Sequence, residues 1–282
     1  MNGLESERQL RVAAIHDISC LGRCSLTVAL PVLSAMGIET NVIPTAILSS
    51  HTGEFTGYTF RDLTEDIYPI AQHWKSLGRH YDAMYTGYFG NIKQLEIVEK
   101  ACDLLSDSNT LRFVDPVMAD NGELYSHFDM AYVNEMKTFC RKAHVILPNI
   151  TEACLLTDTP YVSGPYTEDD LHKLLLKLRT LGTNHTVLTG AHTKKGYGAA
   201  WMDNQSGQWD IVLSSYVEGC FYGAGDTLAS VLLGSYLQSG SMLEAVAVAV
   251  DFTHKAIIHT KEKEQDLKYG LLFEELLGEL TQ

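Results

Sequence analysis

The segment Phe221-Tyr222-Gly223-Ala224-Gly225-Asp226-Thr227 opens the apolar stretch Leu228–Leu237 and carries the clearest chemistry in the chain. Two glycines permit a tight turn in which several N–H groups point into one small space. The following run has helical spacing, so those groups sit at a helix N-terminus, where the macrodipole favours an anion. Asp226 then places a carboxylate beside an anion site, which suits transfer of a phosphoryl group to a hydroxyl. The N–H groups of Gly223, Ala224 and Gly225 would take charge on the moving group, and Asp226 would orient the acceptor and accept its proton. An ordinary aspartate pKa of about 3.9 makes it a weak base; a loose transition state with late proton departure tolerates that. The same residues also satisfy a plain helix start with Asp in its first turn.

Phosphoryl transfer is mainly positioning and charge neutralisation. Mg²⁺ takes oxygen ligands and keeps several waters, so one or two carboxylates suffice. Asp115 ends a strand-like run, while Asn149 and Glu152 share one face at the start of a short helix. These three are candidates to hold metal and triphosphate, with Asp115 and Glu152 as the metal ligands. Asn149-x-x-Glu152 is equally the pattern of an N-cap with its capping-box partner. Tyr88 could stack on a flat substrate or simply pack, and His51 and Thr52 could hydrogen-bond ring substituents. Lys194 and Lys195 either reach nucleotide phosphates or stay solvated. His73, His172 and His254 lie in helical patterns and read as structural or exposed.

The elements that must position these groups alternate along the chain. Strand-like runs occur at Val12–Ile18, Asn41–Leu48, Ala83–Tyr88, Arg112–Val117, Val145–Pro148 and Thr186–Thr189. Helical patterns lie between them at Ser25–Met36, Arg61–Leu77, Ile92–Ser106, Met130–Lys142 and Glu168–Leu181. This rhythm predicts a mostly parallel sheet with helices on both faces. Gly198–Met202 and Trp209–Ser215 flank Asp203–Gly207 as a hairpin, and Asp226–Leu237, Met242–His259 and Leu271–Leu280 read as helices. Ligands of open α/β sheets bind beyond the carboxyl ends of the strands. His16-Asp17, Ser49–Gly53, Thr86-Gly87-Tyr88, Asp115–Met118, Pro148-Asn149 and Thr189-Gly190 all fall there, which is more than loop chemistry alone explains. No repeat or linker interrupts the 282 residues, so one domain over 1–282 is expected.

A net charge of −14, from 21 Lys+Arg against 35 Asp+Glu, argues against nucleic acid or anionic membranes as partners. An anionic substrate therefore needs a local positive site or a metal ion. Met1–Leu10 is polar and no apolar stretch reaches membrane-spanning length. The six cysteines are scattered without zinc spacing, as expected of reduced thiols in a cytoplasmic protein. The first strand runs into Asp17-Ile18-Ser19-Cys20-Leu21-Gly22, which lacks the Gly-x-Gly-x-x-Gly of a dinucleotide-dependent oxidoreductase.

The ordered set Ser50-His51-Thr52-Gly53, Thr86-Gly87-Tyr88, Asp115-Pro116-Val117-Met118-Ala119-Asp120, Pro148-Asn149-Ile150-Thr151-Glu152, Thr189-Gly190 and Gly223-Ala224-Gly225-Asp226 resembles the ribokinase superfamily over nearly the whole chain. The S-H-T-G and T-G-Y pieces resemble, more narrowly, its pyridoxal (vitamin B6) kinases. The resemblance implies a ribokinase-like three-layer α/β/α fold with a central mostly parallel sheet, usually in a homodimer. It implies ATP and Mg²⁺, with room for a monovalent cation. Thr52 and Tyr88 would line the vitamin pocket together with His51 and Asp17. Asp115, Asn149, Glu152, Thr189 and Gly190 would serve nucleotide and metal, Asp120 and Tyr125 would belong to a loop covering ATP, and Asp226 would be the base.

Two departures fall in the acceptor pocket. B6 kinases usually carry a serine where this chain has Asp17, and the glycine-rich stretch that follows is here Gly22-Arg23-Cys24-Ser25-Leu26. A carboxylate at Asp17 would favour a cationic vitamer, pairing with a protonated pyridine nitrogen or an amine. Hydroxymethylpyrimidine, the thiamin precursor, is the alternative acceptor. A non-catalytic vitamin or nucleotide sensor is the alternative class, and it has no need of Asp226.

Overall fold

Period-two alternation builds the sheet. In β1 (Arg11–Ser19), Val12 faces one apolar layer while Ala13 and Ile15 face the other. The same alternation separates Ala83 from Met84 in β4 (Ala83–Thr86), Phe113 from Val114 in β5 (Leu111–Val114) and Val145 from Ile146 in β8 (Val145–Ile146). Successive side chains point to opposite faces. Strands apolar on both faces need helices on both.

The structure, a computed structural model, describes residues 8–281; seven residues of the polar Met1–Leu10 segment lie outside that range. The remaining strands of the main sheet are β2 (Glu39–Leu48), β3 (Phe60–Asp62), β9 (His185–Thr193), β10 (Gly196–Asp203) and β11 (Trp209–Ser214). Their order across the nine-stranded sheet is β11-β10-β9-β8-β5-β4-β1-β2-β3. Pairing is parallel from β9 through β2 and antiparallel at β10, β11 and β3.

One face is covered by α2 (Thr64–Ser76), α3 (Ile92–Leu105), α4 (Met130–Cys140), α5 (Ile150–Leu156) and α6 (Glu168–Leu178). The other carries α1 (Leu26–Ala35), α7 (Ala224–Ser239), α8 (Met242–Glu262) and the C-terminal segment through Leu280. This is the expected three-layer α/β/α arrangement with a mostly parallel sheet. From β1 the chain passes through α1 to β2 on one side, then returns through α2 to β4 on the other. The carboxyl ends of β1 and β4 therefore flank a topological switch point, where such sheets open a ligand crevice. No helix among the described residues is long and apolar enough to cross a membrane.

Several boundaries differ from the sequence reading. Residues Phe60–Asp62, placed partly in a helix by their pattern, form the exposed edge strand β3. Asp62 Oδ1 then accepts the Thr64 N–H (2.7 Å), and the helix starts after it. β9 runs on to Thr193 because Gly190, at φ +71°, absorbs a bulge between Thr189 and Ala191 opposite β10. A two-residue hairpin, β6 (Ala119–Asp120) with β7 (Glu123–Leu124), turns on Asn121-Gly122, both at positive φ. The closing helix expected at Leu271–Leu280 is a 3₁₀ stretch over Glu274–Leu280. The Asp203–Gly207 hairpin is present, with Asp203 Oδ1 accepting the N–H groups of Gln205 and Ser206 (2.8 and 3.0 Å).

Candidate active site

β1 delivers Asp17 to the switch point, where only 4% of the residue is exposed. Its two oxygens accept the hydroxyls of Ser25 (2.6 Å) and Ser19 (2.9 Å). Burial raises its pKa, and the two serine bonds oppose that rise. Ser25 itself stands at φ 53°, ψ −128°, the first central position of a turn closed by Thr27 N–H on the Cys24 carbonyl (3.2 Å). Those are the dihedrals a type II′ turn normally assigns to glycine. Holding a serine there costs about 1–3 kcal/mol. The Ser25 backbone also acts on the Asp226 carboxyl, opposing the rise of its pKa.

Asp226 lies half-buried in the first turn of α7, behind the glycine turn. Gly223, at φ +73°, packs so closely on the β1–α1 loop that a Cβ would stand 1.9 Å from the Arg23 carbonyl oxygen. Only glycine fits. Of the three N–H groups expected to cradle an anion, that of Ala224 is turned onto the Phe221 carbonyl (3.2 Å). Among the described residues the N–H groups of Gly223, Gly225 and Asp226 have no protein acceptor, so Asp226 takes the place of Ala224 in the open set. Enclosure pushes the Asp226 carboxyl up to about 6, with Asp17 adding to the rise and the Ser25 N–H opposing it.

On the other side of the cleft, α5 begins with a reciprocal capping box. Asn149 Oδ1 accepts the Glu152 N–H (2.9 Å) and Glu152 Oε2 accepts the Asn149 N–H (2.9 Å). Both side chains do more than cap. Asn149 Nδ2 donates to the Ala119 carbonyl (2.8 Å), Glu152 Oε1 accepts the Met118 N–H (3.0 Å), and Thr151 Oγ1 accepts the Gly122 N–H (3.0 Å). The α5 N-terminus thus pins the β6–β7 hairpin that carries Asp120 and leads into Tyr125. Glu152 is almost fully buried and its pKa rises to about 7, its backbone donors opposing the rise.

Asp115 accepts no hydrogen bond among the described residues. Burial, then the charges of Glu152 and Asp226, raise its pKa well above the carboxylate range. Among the described residues, no lysine or arginine relieves these three carboxylates. The unpaired Asp115 carboxylate, repelled by Glu152 and Asp226, fits a hard divalent cation delivered with a phosphate chain. The described residues hold no cluster of three or more His, Cys, Asp or Glu side chains that would bind a metal unaided.

At the acceptor end, half-buried Tyr88 follows β4 and its hydroxyl meets His127 Nε2 at 2.7 Å. That bond ties the acceptor pocket to the segment descending from the β6–β7 hairpin. Burial and the nearby Asp17 charge raise the Tyr88 hydroxyl's pKa. Both ring nitrogens of His51 are already engaged, Nε2 with the Lys268 carbonyl (2.5 Å) and Nδ1 with the Gly53 N–H (3.1 Å). His51 therefore holds the β2–β3 loop in place and has no ring nitrogen left for a substrate. Thr52 is exposed on that loop. The loop's Gly53 packs against the Tyr222 ring, where a Cβ would stand 2.2 Å from it.

Thr189 and Gly190 end the parallel part of β9, and Thr189 pairs with Asn149 across the sheet edge. Lys195 is spent on an exposed ion pair with Glu168 (2.6 Å). All six cysteines are free thiols. Two functional contributors escaped the sequence reading. The Asn121-Gly122 dipeptide signalled the hairpin, but no local pattern reports that the Ser25 hydroxyl donates to Asp17.

A family model described as phosphomethylpyrimidine kinase matches residues 31–269. A candidate phosphomethylpyrimidine kinase of Bacteroides thetaiotaomicron, in a crystal form with pyridoxal, is 36% identical; it superposes with a TM-score of 0.91 over 98% of this chain and 96% of that one. Pyridoxal kinase from Lactobacillus plantarum is 31% identical, with a TM-score of 0.88 and 96% of each chain covered. Pyridoxal kinase from Leishmania donovani in complex with ADP and pyridoxamine, at 21% identity, shares the fold with a TM-score of 0.78 over 96% of this chain and 95% of that one. The chain belongs to the phosphomethylpyrimidine kinase family and, through it, stands among the pyridoxal kinases of the ribokinase-like superfamily.

Proposed function

We propose that this chain is an ATP-dependent kinase acting on the 5′-hydroxymethyl group of a B6 vitamer (pyridoxal, pyridoxine or pyridoxamine), with residues 1–282 forming one catalytic domain. The observation that carries the reading is Asp226: a carboxyl pushed up to about 6 at a helix N-terminus whose foremost N–H groups are open. An aspartate at that pKa is a better base at neutral pH than an ordinary one, yet is still ionised there. Asp226 receives the hydroxyl proton as the acceptor oxygen attacks. The N–H groups of Gly223, Gly225 and Asp226 and the α7 dipole stabilise charge on the transferring phosphoryl group.

ATP lies on the Asn149, Glu152, Thr189 and Gly190 side, beneath Asp120 and Tyr125. Mg²⁺, held by Asp115 and Glu152, supplies charge neutralisation for the nucleotide phosphates when bound. The acceptor lies against Tyr88 and Thr52 above Asp17, whose carboxylate favours a cationic ring or amine. His51 shapes that pocket through the loop it anchors. The assembly is read as a homodimer on family resemblance alone.

Hydroxymethylpyrimidine is the second reading, favoured by the description of the matching family. The Bacteroides thetaiotaomicron crystal form with pyridoxal favours a B6 vitamer instead. The deciding experiment incubates the protein with Mg-ATP and each of pyridoxal, pyridoxine, pyridoxamine and hydroxymethylpyrimidine, and follows each by mass spectrometry. Phosphate gain on a B6 vitamer is expected. Gain on hydroxymethylpyrimidine alone, or on none, overturns the acceptor.

A further inference from the structure

The Tyr88 hydroxyl meets His127 Nε2 at 2.7 Å across 39 residues of sequence. Tyr88 follows β4 on the acceptor side of the cleft, whereas His127 lies between the β6–β7 hairpin and α4. The segment that carries His127 is fixed at both of its ends. The Tyr125 N–H donates to the Met118 carbonyl (3.0 Å) and the Phe128 N–H to the Tyr125 carbonyl (2.9 Å). The Phe128 ring stacks on buried Tyr132, with 3.9 Å between centroids. The Tyr132 hydroxyl in turn donates to the carbonyl of Phe89, the residue after Tyr88 (3.1 Å). Asp129 then caps α4, its Oδ1 accepting the Tyr132 N–H (3.0 Å). None of these bonds uses the His127 side chain, which is exposed and reaches Tyr88 instead.

We propose that His127 is a positioning residue that couples the two substrates: through the Tyr88–His127 bond, an acceptor bound against Tyr88 and a nucleotide bound beneath Asp120 and Tyr125 strengthen each other's binding. The proposal rests on the placement of acceptor and nucleotide given under the proposed function. A hydrogen bond between groups that water can reach contributes little, and the same bond strengthens when water is kept from it. A flat ring stacked on Tyr88 shields the bond from the acceptor side and fixes the tyrosine. A nucleotide under Tyr125 fixes the segment two residues from His127 and shields the bond from the other side. Whichever ligand binds first orders the bond, and the second then binds without that cost. Linkage makes the two effects equal.

His127→Phe separates this role from a structural one, because it keeps a ring beside Phe128 and removes the nitrogen that meets Tyr88. Pyridoxal binding is titrated calorimetrically with and without a saturating non-hydrolysable ATP analogue and Mg²⁺, and analogue binding with and without pyridoxal. In wild type each ligand is expected to tighten the other about fivefold. In His127→Phe that factor falls below about twofold, while affinity for each ligand alone stays within about twofold and the melting temperature is unchanged. Tyr88→Phe, which keeps the ring and loses the hydroxyl, loses the same factor, and the double variant loses no more. A His127→Phe protein that keeps the wild-type factor, or that loses affinity for either ligand alone or melting temperature, overturns the proposal. A wild type that binds the two ligands independently also overturns it and leaves the proposed function standing. A wild type that does not bind pyridoxal overturns both.

Discussion

Replacing Asp226 by Asn should make the protein more stable while abolishing phosphoryl transfer. The Asp226 carboxyl moves from 3.8 to about 6 on folding, which at about 1.4 kcal/mol per pKa unit is about 3 kcal/mol against the ionised form. The residue is only half-buried, and solvent screening brings the figure to about 2 kcal/mol. The sign follows from linkage. An acid whose folded pKa lies above its unfolded one costs nothing while both states are protonated. The cost then grows as pH rises between the two values and levels off above the folded one. The neutral amide of Asn keeps the shape of the carboxyl and escapes that cost. Urea unfolding of wild type and Asp226→Asn at pH 7.5 is expected to favour the variant by about 2 kcal/mol, falling to roughly half at pH 5. An Asp226→Asn protein that is equally or less stable at pH 7.5, or whose advantage does not shrink toward pH 5, refutes the claim that the fold holds this carboxylate against its own stability.

Gly223→Ala places a methyl group 1.9 Å from the Arg23 carbonyl at φ +73°; a loss of about 3 kcal/mol or more is expected in denaturant titration, with turnover lost alongside. Glu152→Ala removes the acceptor of the Asn149 and Met118 N–H groups. It should cost about 1–3 kcal/mol and speed hydrogen exchange at those two amides, whereas unchanged exchange would show that α5 does not pin the hairpin. Asp17→Ser should lower kcat/KM for pyridoxamine more than for pyridoxal, and an unchanged ratio would remove the carboxylate from vitamer choice.

The central sheet was legible because its strands are short apolar runs buried on both faces, such as Ala83–Thr86 and Val145–Ile146, which announce themselves without alternation of polar residues. What escaped were elements whose stability comes from elsewhere. β3 is three exposed residues held by pairing with β2, and β6–β7 owes its place to Asn149, Thr151 and Glu152. The site motifs were legible because parallel strands all discharge at one edge, so their order along the chain maps onto a single cleft. Roles within the cleft were less so. Asn149 and Glu152 proved to cap α5 and anchor the hairpin at once, because a capping carboxylate has a second oxygen to give. The turn N–H that sequence assigned to the anion, on Ala224, is used by the turn itself. Ser25 was invisible as anything but a helix start, since its partner Asp17 lies 8 residues before it on β1.

The most direct test compares wild type with Asp226→Ala for formation of pyridoxal phosphate from pyridoxal and Mg-ATP, read as phosphate mass gain, with ATP binding measured on both proteins. Rapid gain in wild type, a loss of at least about a hundredfold in the variant and retained ATP binding are the predicted results. Near-normal transfer by Asp226→Ala would contradict the account at its centre.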